Sequence, residues 1–308
     1  LECLWSLMSL AVPGLLSSHS SFNEKFRRPI EAGRSPDLLN LLHSLIAPFV
    51  LRRTKEEVAP ELPERVETLL PVPLGRKQRQ IYDRYLTRER ARLLHLELEN
   101  DTRERFEVLA ALTRLRQLSL DPALVDQRYD SVGSAKIDLL CEHLEQILPL
   151  GHKVLVFSQF VAFLERIRRS LDQRGIVSLL LEGKTRNRHA VIDEFQHGDV
   201  QVFLISLKAG GVGLTLTQAD YVYMMDPWWN PSVEAQAVNR AHRIGQDRRV
   251  NVYRLVAQDT IEEKVCQLQA HKQLLVDSVV GQNLGEGRSS ADIQQLLKLI
   301  QEEQDGRV

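Results

Sequence analysis

The sequence predicts an α/β fold: a parallel sheet sandwiched by helices, preceded by a mainly α-helical region and followed by C-terminal helices. Short unbroken apolar runs carry the strand prediction: Lys153-Val-Leu-Val-Phe157, Val177 to Leu181, Val200 to Ile205, Tyr221 to Met225 and Val250 to Val256. Runs of that length without alternation mark strands buried on both faces. Between them lie stretches of helical spacing, with Phe160, Phe163, Leu164, Ile167 and Leu171 in one and Val191, Ile192 and Phe195 in another. Strand and helix alternating at this interval imply a parallel sheet with right-handed crossovers.

Ahead of the sheet, residues 1–64 read as helical and irregular. Leu4, Trp5, Leu7, Met8 and Leu10 form one apolar stripe; Leu38-Leu39, Leu41-Leu42 and Leu45-Ile46 form another. Val66 to Leu74 has strand-like content, but Pro71 and Pro73 confine it to an edge strand or an extended linker. From Arg76 to Arg116 the pattern is helical and basic. Such a run is ordinarily a solvated helix face, and DNA contact is the alternative. After the sheet, Thr260-Ile-Glu-Glu263 is a capping box that opens a long helix through about Val280. A polar Gly/Ser stretch and a short helix near Ile293 to Ile300 follow.

In open parallel sheets, functional residues gather beyond the carboxyl ends of the strands. Ser158-Gln159, Glu182 to Thr185, Ser206 to Thr217 and Asp226 to Asn230 all fall there. Gly210, Gly211 and Gly213 follow a strand and would let backbone N–H groups approach an anion. A helix is predicted from N-cap Asn230, with Pro231 at its first position and Gly245 as the stop. Spacings of four and three put Gln236, Arg240 and Arg243 on one face of it. Two fixed guanidinium forks suit a developing phosphoryl charge. A solvated helix whose arginines pair with nearby carboxylates fits the same pattern.

Composition bounds the rest. The 308 residues are 43% hydrophobic and 26% charged, with a formal net charge of −1, so any nucleic-acid surface must be local. Cys3, Cys141 and Cys266 are scattered, without the spacing of a zinc site or a disulfide framework. No apolar run approaches a membrane span, no signal peptide is recognisable, and a start at Leu1 suggests a fragment of something longer.

Gln236-Ala-Val-Asn-Arg-Ala-His-Arg-Ile-Gly-Gln246 resembles motif VI of the Swi/Snf-type ATPases, double-stranded DNA translocases of helicase superfamily two. Asp226-Pro-Trp-Trp-Asn-Pro231 is similar to a hallmark of that family. Ser206 to Thr217 resembles its motif V, with Thr215 where Asn is usual, and Lys153 to Phe160 resembles motif IV. Glu182-Gly-Lys-Thr185 with Arg186 and Arg188 resembles a further motif, about two residues short. Phe49 to Val58 with Leu62-Pro63 matches a signature of the first lobe's helical protrusion.

The resemblance implies a RecA-like helicase C-terminal lobe over residues 131–258. It places a helical protrusion and tail of the first lobe at 1–64, a crossover strand at 65–75, a second protrusion at 76–130 and brace helices at 259–308. It implies that Arg240 and Arg243 act as arginine fingers with Gln236 beside them, and that Gly211 and Gly213 help line the ATP cleft. Ser158, Gln159, Lys184, Ser206, Lys208 and Gly210 would hold the DNA backbone. Trp228 and Trp229 would anchor lobe to protrusion, and His242 would pack within its motif. ATP and Mg²⁺ would be held mainly by the first RecA-like lobe of the same polypeptide, because neither a G-x-x-x-x-G-K-[ST] loop nor a strand-terminal Asp-Glu pair occurs here. Alone, the chain should not hydrolyse ATP. Expected partners are duplex DNA, that first lobe and a DNA-bound target protein, in the cytoplasm and at the nucleoid if bacterial. An RNA or single-strand helicase and a non-catalytic scaffold remnant of the fold are the rival readings.

Overall fold

A computed structural model describes residues 1–31, 36–51, 55–93, 102–209, 214–267 and 269. The chain divides into two compact units, one built on Leu1–Pro60 with Asn230–Ser232, which include the first two residues of a helix at 231–238, and the other on Glu61–Trp229 with Val233–Cys266.

In the first unit, α1 (Glu2–Ala11), α2 (His19–Phe22), α3 (Arg28–Glu31), α4 (Pro36–Ile46) and α5 (Lys55–Val58) are helical, and a π-type turn over Asn23–Arg27 joins α2 to α3. Leu4 and Met8, one turn apart on α1, meet Phe22, Ile30, Leu42 and Ile46 in a small core. The apolar stripe of α1 is wider than its buried face, since Leu7 and Leu10 are exposed.

Among the described residues the second unit holds a six-stranded sheet. Its elements are β1 (Arg65–Val72), α6 (Arg76–Leu93), α7 (Thr102–Leu120), α8 (Ala135–Ile147), β2 (Val154–Ser158), α9 (Val161–Gln173), β3 (Ser178–Leu181), α10 (Arg188–His197), β4 (Val202–Ser206), β5 (Tyr221–Met224), α11 (Pro231–Val238) and β6 (Val250–Ala257). The strand order is β1-β6-β5-β2-β4-β3 and every pairing is parallel. All carboxyl ends therefore lie along one edge. β1 pairs with β6 at the side of the sheet, where Pro71 costs no interior hydrogen bond.

β2 and β4 are buried throughout, so both faces of the sheet are covered. Val154 and Val156 pack against Leu140 and Leu144 of α8 and Phe163 and Ile167 of α9. Leu155 and Phe157 face the other way, toward Phe195 of α10 and Ala237 and Val238 of α11. The alternation along each strand splits the core into two layers.

Helix α6 ties neighbouring elements together through its polar side chains. Gln78 is buried, and its amide donates to the Leu118 and Ser119 carbonyls at 3.1 and 3.2 Å while its Oε1 accepts from Ala135 N at 3.3 Å. The Tyr82 hydroxyl accepts from Ile261 N at 2.7 Å, at the start of the helical turns Ile261–Gln267. Thr260 caps these turns, taking Glu262 N at 3.2 Å; the acidic side chain that turns inward is Glu262, not Glu263. The expected continuation to Val280 and the short helix at 293–300 lie outside the described residues, as do Arg52, Arg53 and Thr54. Among the described residues no helix is long and apolar enough to cross a membrane.

Candidate functional site

Helix α11 begins as expected: Asn230 Oδ1 accepts Ser232 N at 3.0 Å and Pro231 takes the first position. It ends earlier than expected. Regular helix stops at Val238, and Asn239 to Gly245 form tight turns, with Ala241 N on Val238 O and Gln246 N on Arg243 O. Gln236 therefore stands on the helix, exposed, while Arg240 and Arg243 sit in the following turn rather than on its face. A tertiary contact diverts the chain: Arg240 O, the acceptor for a further helical turn, takes Leu216 N at 2.9 Å instead. Gln246 completes the join by donating to Ala219 O at 2.9 Å and Ala241 O at 3.1 Å. Gly245 has φ +99°, a left-handed geometry that favours glycine.

This turn and the loop after β4 form one assembly. The Arg243 Nη1 donates to Thr215 Oγ1 at 3.2 Å, while Arg243 itself is exposed and Arg240 is buried. Burial, and then the like charge of Arg243, pull the Arg240 guanidinium below its ordinary value. Gly210, Gly211 and Gly213 lie outside the described residues. His242 is buried, its Nε2 at 2.8 Å from the Pro63 carbonyl, a partner outside its motif.

A second cluster forms around Asp226, just past β5. Its carboxylate is fully buried; it accepts the Ser158 hydroxyl, Gln159 N at 3.2 Å and Arg116 Nη2 at 3.5 Å. The same Arg116 nitrogen donates to the Pro227 carbonyl, and the guanidinium lies over the Trp229 ring at 4.9 Å and the Trp228 ring at 6.0 Å. Burial raises the Asp226 carboxyl above its usual range, and Arg116 and the Ser158 hydroxyl pull it back. The tryptophans thus meet α7. Glu234 of α11 steadies them by accepting Trp228 N at 2.6 Å and pairing with Arg254 of β6.

The residues expected to meet DNA separate by exposure. Lys184 and Lys208 are exposed. Ser158 and Ser206 are register partners on β2 and β4, both buried, and the Ser158 hydroxyl is engaged by Asp226. Gln159 is half-buried; its Nε2 is enclosed without a hydrogen-bond partner among the described residues. In the short segment after β3, Thr185 Oγ1 closes a turn on Glu182 N at 3.0 Å and Arg188 braces Gly183 O at 3.3 Å. Lys184 and Arg186 remain exposed there.

Three buried, ion-paired residues carry no such mark in the sequence. Arg116 reads in sequence as one more basic residue of a solvated run. Lys136 reads only as the opening of the second lobe, and Glu262 as part of a cap. The Lys136 ammonium meets Met225 O at 2.6 Å, Leu255 O at 2.8 Å and Glu262 Oε2 at 2.6 Å. Glu262 also accepts the Ser119 hydroxyl and Ala257 N. A lysine in the first turn of a helix, where the helix dipole disfavours a cation, is the faint signal available. Among the described residues no group of three or more His, Cys, Asp or Glu could hold a metal ion.

Comparison with known proteins places this geometry. The SNF2-related domain model matches residues 1–124 and the helicase conserved C-terminal domain model matches residues 135–245. The chain is 34% identical over 301 residues to an uncharacterized ATP-dependent helicase of Mycoplasma pneumoniae, covering 97% of this chain and 28% of that protein. It is 33% identical over 291 residues to the ISWI chromatin-remodeling complex ATPase CHR11 of Arabidopsis thaliana, covering 90% of this chain and 27% of that protein. The chain thus spans less than a third of the length of these relatives. The Sulfolobus solfataricus SWI2/SNF2 ATPase core, solved in complex with dsDNA, superposes with a TM-score of 0.62 at 31% identity, over 97% of this chain and 62% of that one. With both domain models matched in order and the RecA-like sheet in place, the chain belongs to the SWI2/SNF2 family of helicase-like proteins.

Proposed function

We propose that this chain is the second-lobe portion of an ATP-dependent double-stranded DNA translocase. The observation that carries the reading is the Arg240–Arg243 turn, pinned to the loop after β4 through Leu216 and Thr215. Two adjacent guanidiniums, one desolvated and one exposed, fit the polyphosphate of ATP. In this reading Arg240 and Arg243 stabilise charge on the transferring phosphoryl group, with Gln236 alongside, and ATP supplies that group. Among the described residues no group of three or more His, Cys, Asp or Glu could hold Mg²⁺, which in this reading is held mainly by the first lobe. The domain boundaries at 64, 75, 130 and 258 stand within the same reading, with the phosphate loop on the first lobe of the parent.

The grip on DNA then rests on Lys184, Lys208 and Gln159, with Gly210 in the same role. Such contacts would be independent of sequence and weakened by salt. Ser158 and Ser206 would act by holding the strand ends in place. Closure on ATP and release after hydrolysis would move the two lobes along one strand. The ISWI relative's name and the dsDNA complex of the Sulfolobus core favour duplex DNA over RNA.

The test is ATP hydrolysis by the full-length parent with and without duplex DNA, beside Arg243→Ala. Duplex-stimulated turnover that this change abolishes is the expected result. No hydrolysis by the unmodified parent would leave the scaffold reading, and stimulation by single strands alone would favour the other rival.

A further inference from the structure

The Asp226 carboxylate joins three segments that are far apart in sequence. It holds the end of β2 through Ser158 and Gln159 N, the end of β5 through its own backbone, and α7 through Arg116. Arg116 carries the connection on, to the Pro227 carbonyl and to the Trp229 ring. Both side chains of the pair are excluded from solvent, at 3% and 0% exposure. In that setting each charge depends on the other, because a lone buried charge is strongly unfavourable.

Gln159 is the residue this arrangement places. Its backbone N–H is held by Asp226, and its side-chain Nε2 is enclosed without a partner among the described residues. Buried donors are rarely left unpaired, so the enclosed Nε2 leaves the placement of Gln159 to its backbone N–H on Asp226. We propose that Arg116 and Asp226 are a positioning pair that sets Gln159 at the carboxyl edge and so passes the placement of α7 to the DNA-gripping side of the lobe. This rests on the duplex-translocase reading for its consequence, though not for its geometry.

The pair predicts an uneven effect. Loss of Arg116 frees the β2 end, which would weaken duplex engagement, while the Arg240–Arg243 turn keeps its own anchors at Leu216, Thr215 and Ala219. The experiment uses the full-length parent as wild type, Arg116→Met, Asp226→Ala, Arg116→Lys and the double variant Arg116→Met/Asp226→Asn. The readouts are the duplex concentration giving half-maximal ATPase, KM for ATP, and amide hydrogen exchange at Gln159. The single variants Arg116→Met and Asp226→Ala should raise the half-stimulating duplex concentration by about tenfold and leave KM for ATP within about twofold. Gln159 exchange should quicken in both. Arg116→Lys should restore part of the response, and the double variant, with no unpaired charge, should fold even if Arg116→Met does not. An unchanged duplex response, or a KM for ATP that shifts in step with it, would overturn the proposal. Should the unmodified parent show no duplex stimulation, the translocase reading fails by itself. Gln159 exchange then decides the positioning pair, and equal exchange in wild type and Asp226→Ala sinks it.

Discussion

Lys136 and Glu262, 126 residues apart in the chain, meet at 2.6 Å with neither side chain exposed to solvent. Their contacts join the ends of β5 and β6 to α7 and α8, since Lys136 also takes Met225 O and Leu255 O and Glu262 takes Ser119. Every donor of the ammonium has an acceptor, which is the condition under which a buried ion pair is tolerated.

Removing one member should therefore be worse than removing both. Lys136→Met is expected to lower the unfolding free energy by about 3 to 5 kcal/mol, because Glu262 is left charged and enclosed. Lys136→Met/Glu262→Gln should recover part of that loss. Urea denaturation of the three proteins measures it, and equal losses in single and double variants would dismiss the ion-pair account.

Arg243 and Thr215 offer a graded test of the proposed chemistry. Arg243→Ala is expected to reduce kcat of the full-length parent by about 10³-fold or more, as for an arginine finger. Arg243→Lys should restore little, since the ammonium lacks the planar fork. Thr215→Val removes only one exposed hydrogen bond of about 1 kcal/mol, and should cost about fivefold. Steady-state hydrolysis at saturating ATP and duplex separates the two, and comparable losses would argue that Arg243 acts by packing.

Cys266 should be chemically quiet in the folded chain. Burial, then the charge of Glu262, push its thiol from 9.0 up to about 11. Iodoacetamide at pH 8 is expected to label it slowly in the native protein and quickly in urea, read by mass mapping. The sign of the linked stability follows: the raised value favours the fold below pH 9 and that contribution fades as pH rises through 11. Cys266→Ser should flatten this part of the alkaline stability profile; an unchanged profile counts against it.

Gln78 holds the end of α7 by bonding the Leu118, Ser119 and Leu120 carbonyls. Gln78→Ala should cost about 1 to 3 kcal/mol by leaving those buried acceptors without their donor. Gln78→Glu, which sets a carboxylate against carbonyl oxygens, should be worse at pH 7 than at pH 4. Thermal unfolding at both values checks the order.

What could be read from the sequence was whatever local chemistry decides. Unbroken apolar runs such as Val154 to Phe157 announced buried strands because a strand covered on both faces has no polar side to show. Asn230 and Pro231 announced the start of α11 because capping involves neighbouring residues only. Pro71 correctly marked β1 as an edge strand for an equally local reason, its missing N–H.

The end of α11 was not legible, because nothing between Asn239 and Ile244 forbids a helix. Leu216, from another segment, takes the Arg240 carbonyl and turns the chain. The same holds for Ser158, whose hydroxyl looks available to a phosphate until Asp226 is folded against it. Arg116 is the plainest case: in a run of arginines it carries no distinguishing mark, and its partner lies 110 residues away.

By itself, then, the sequence determined the parallel α/β class, the strands, the helix start and the family-like motifs at the carboxyl edge, all of which rest on short-range pattern. Only the tertiary structure decided which of the charged and polar residues are exposed and which are paired inside. Burial and long-range ion pairing depend on what each side chain meets across the fold, and no local window of sequence contains that partner.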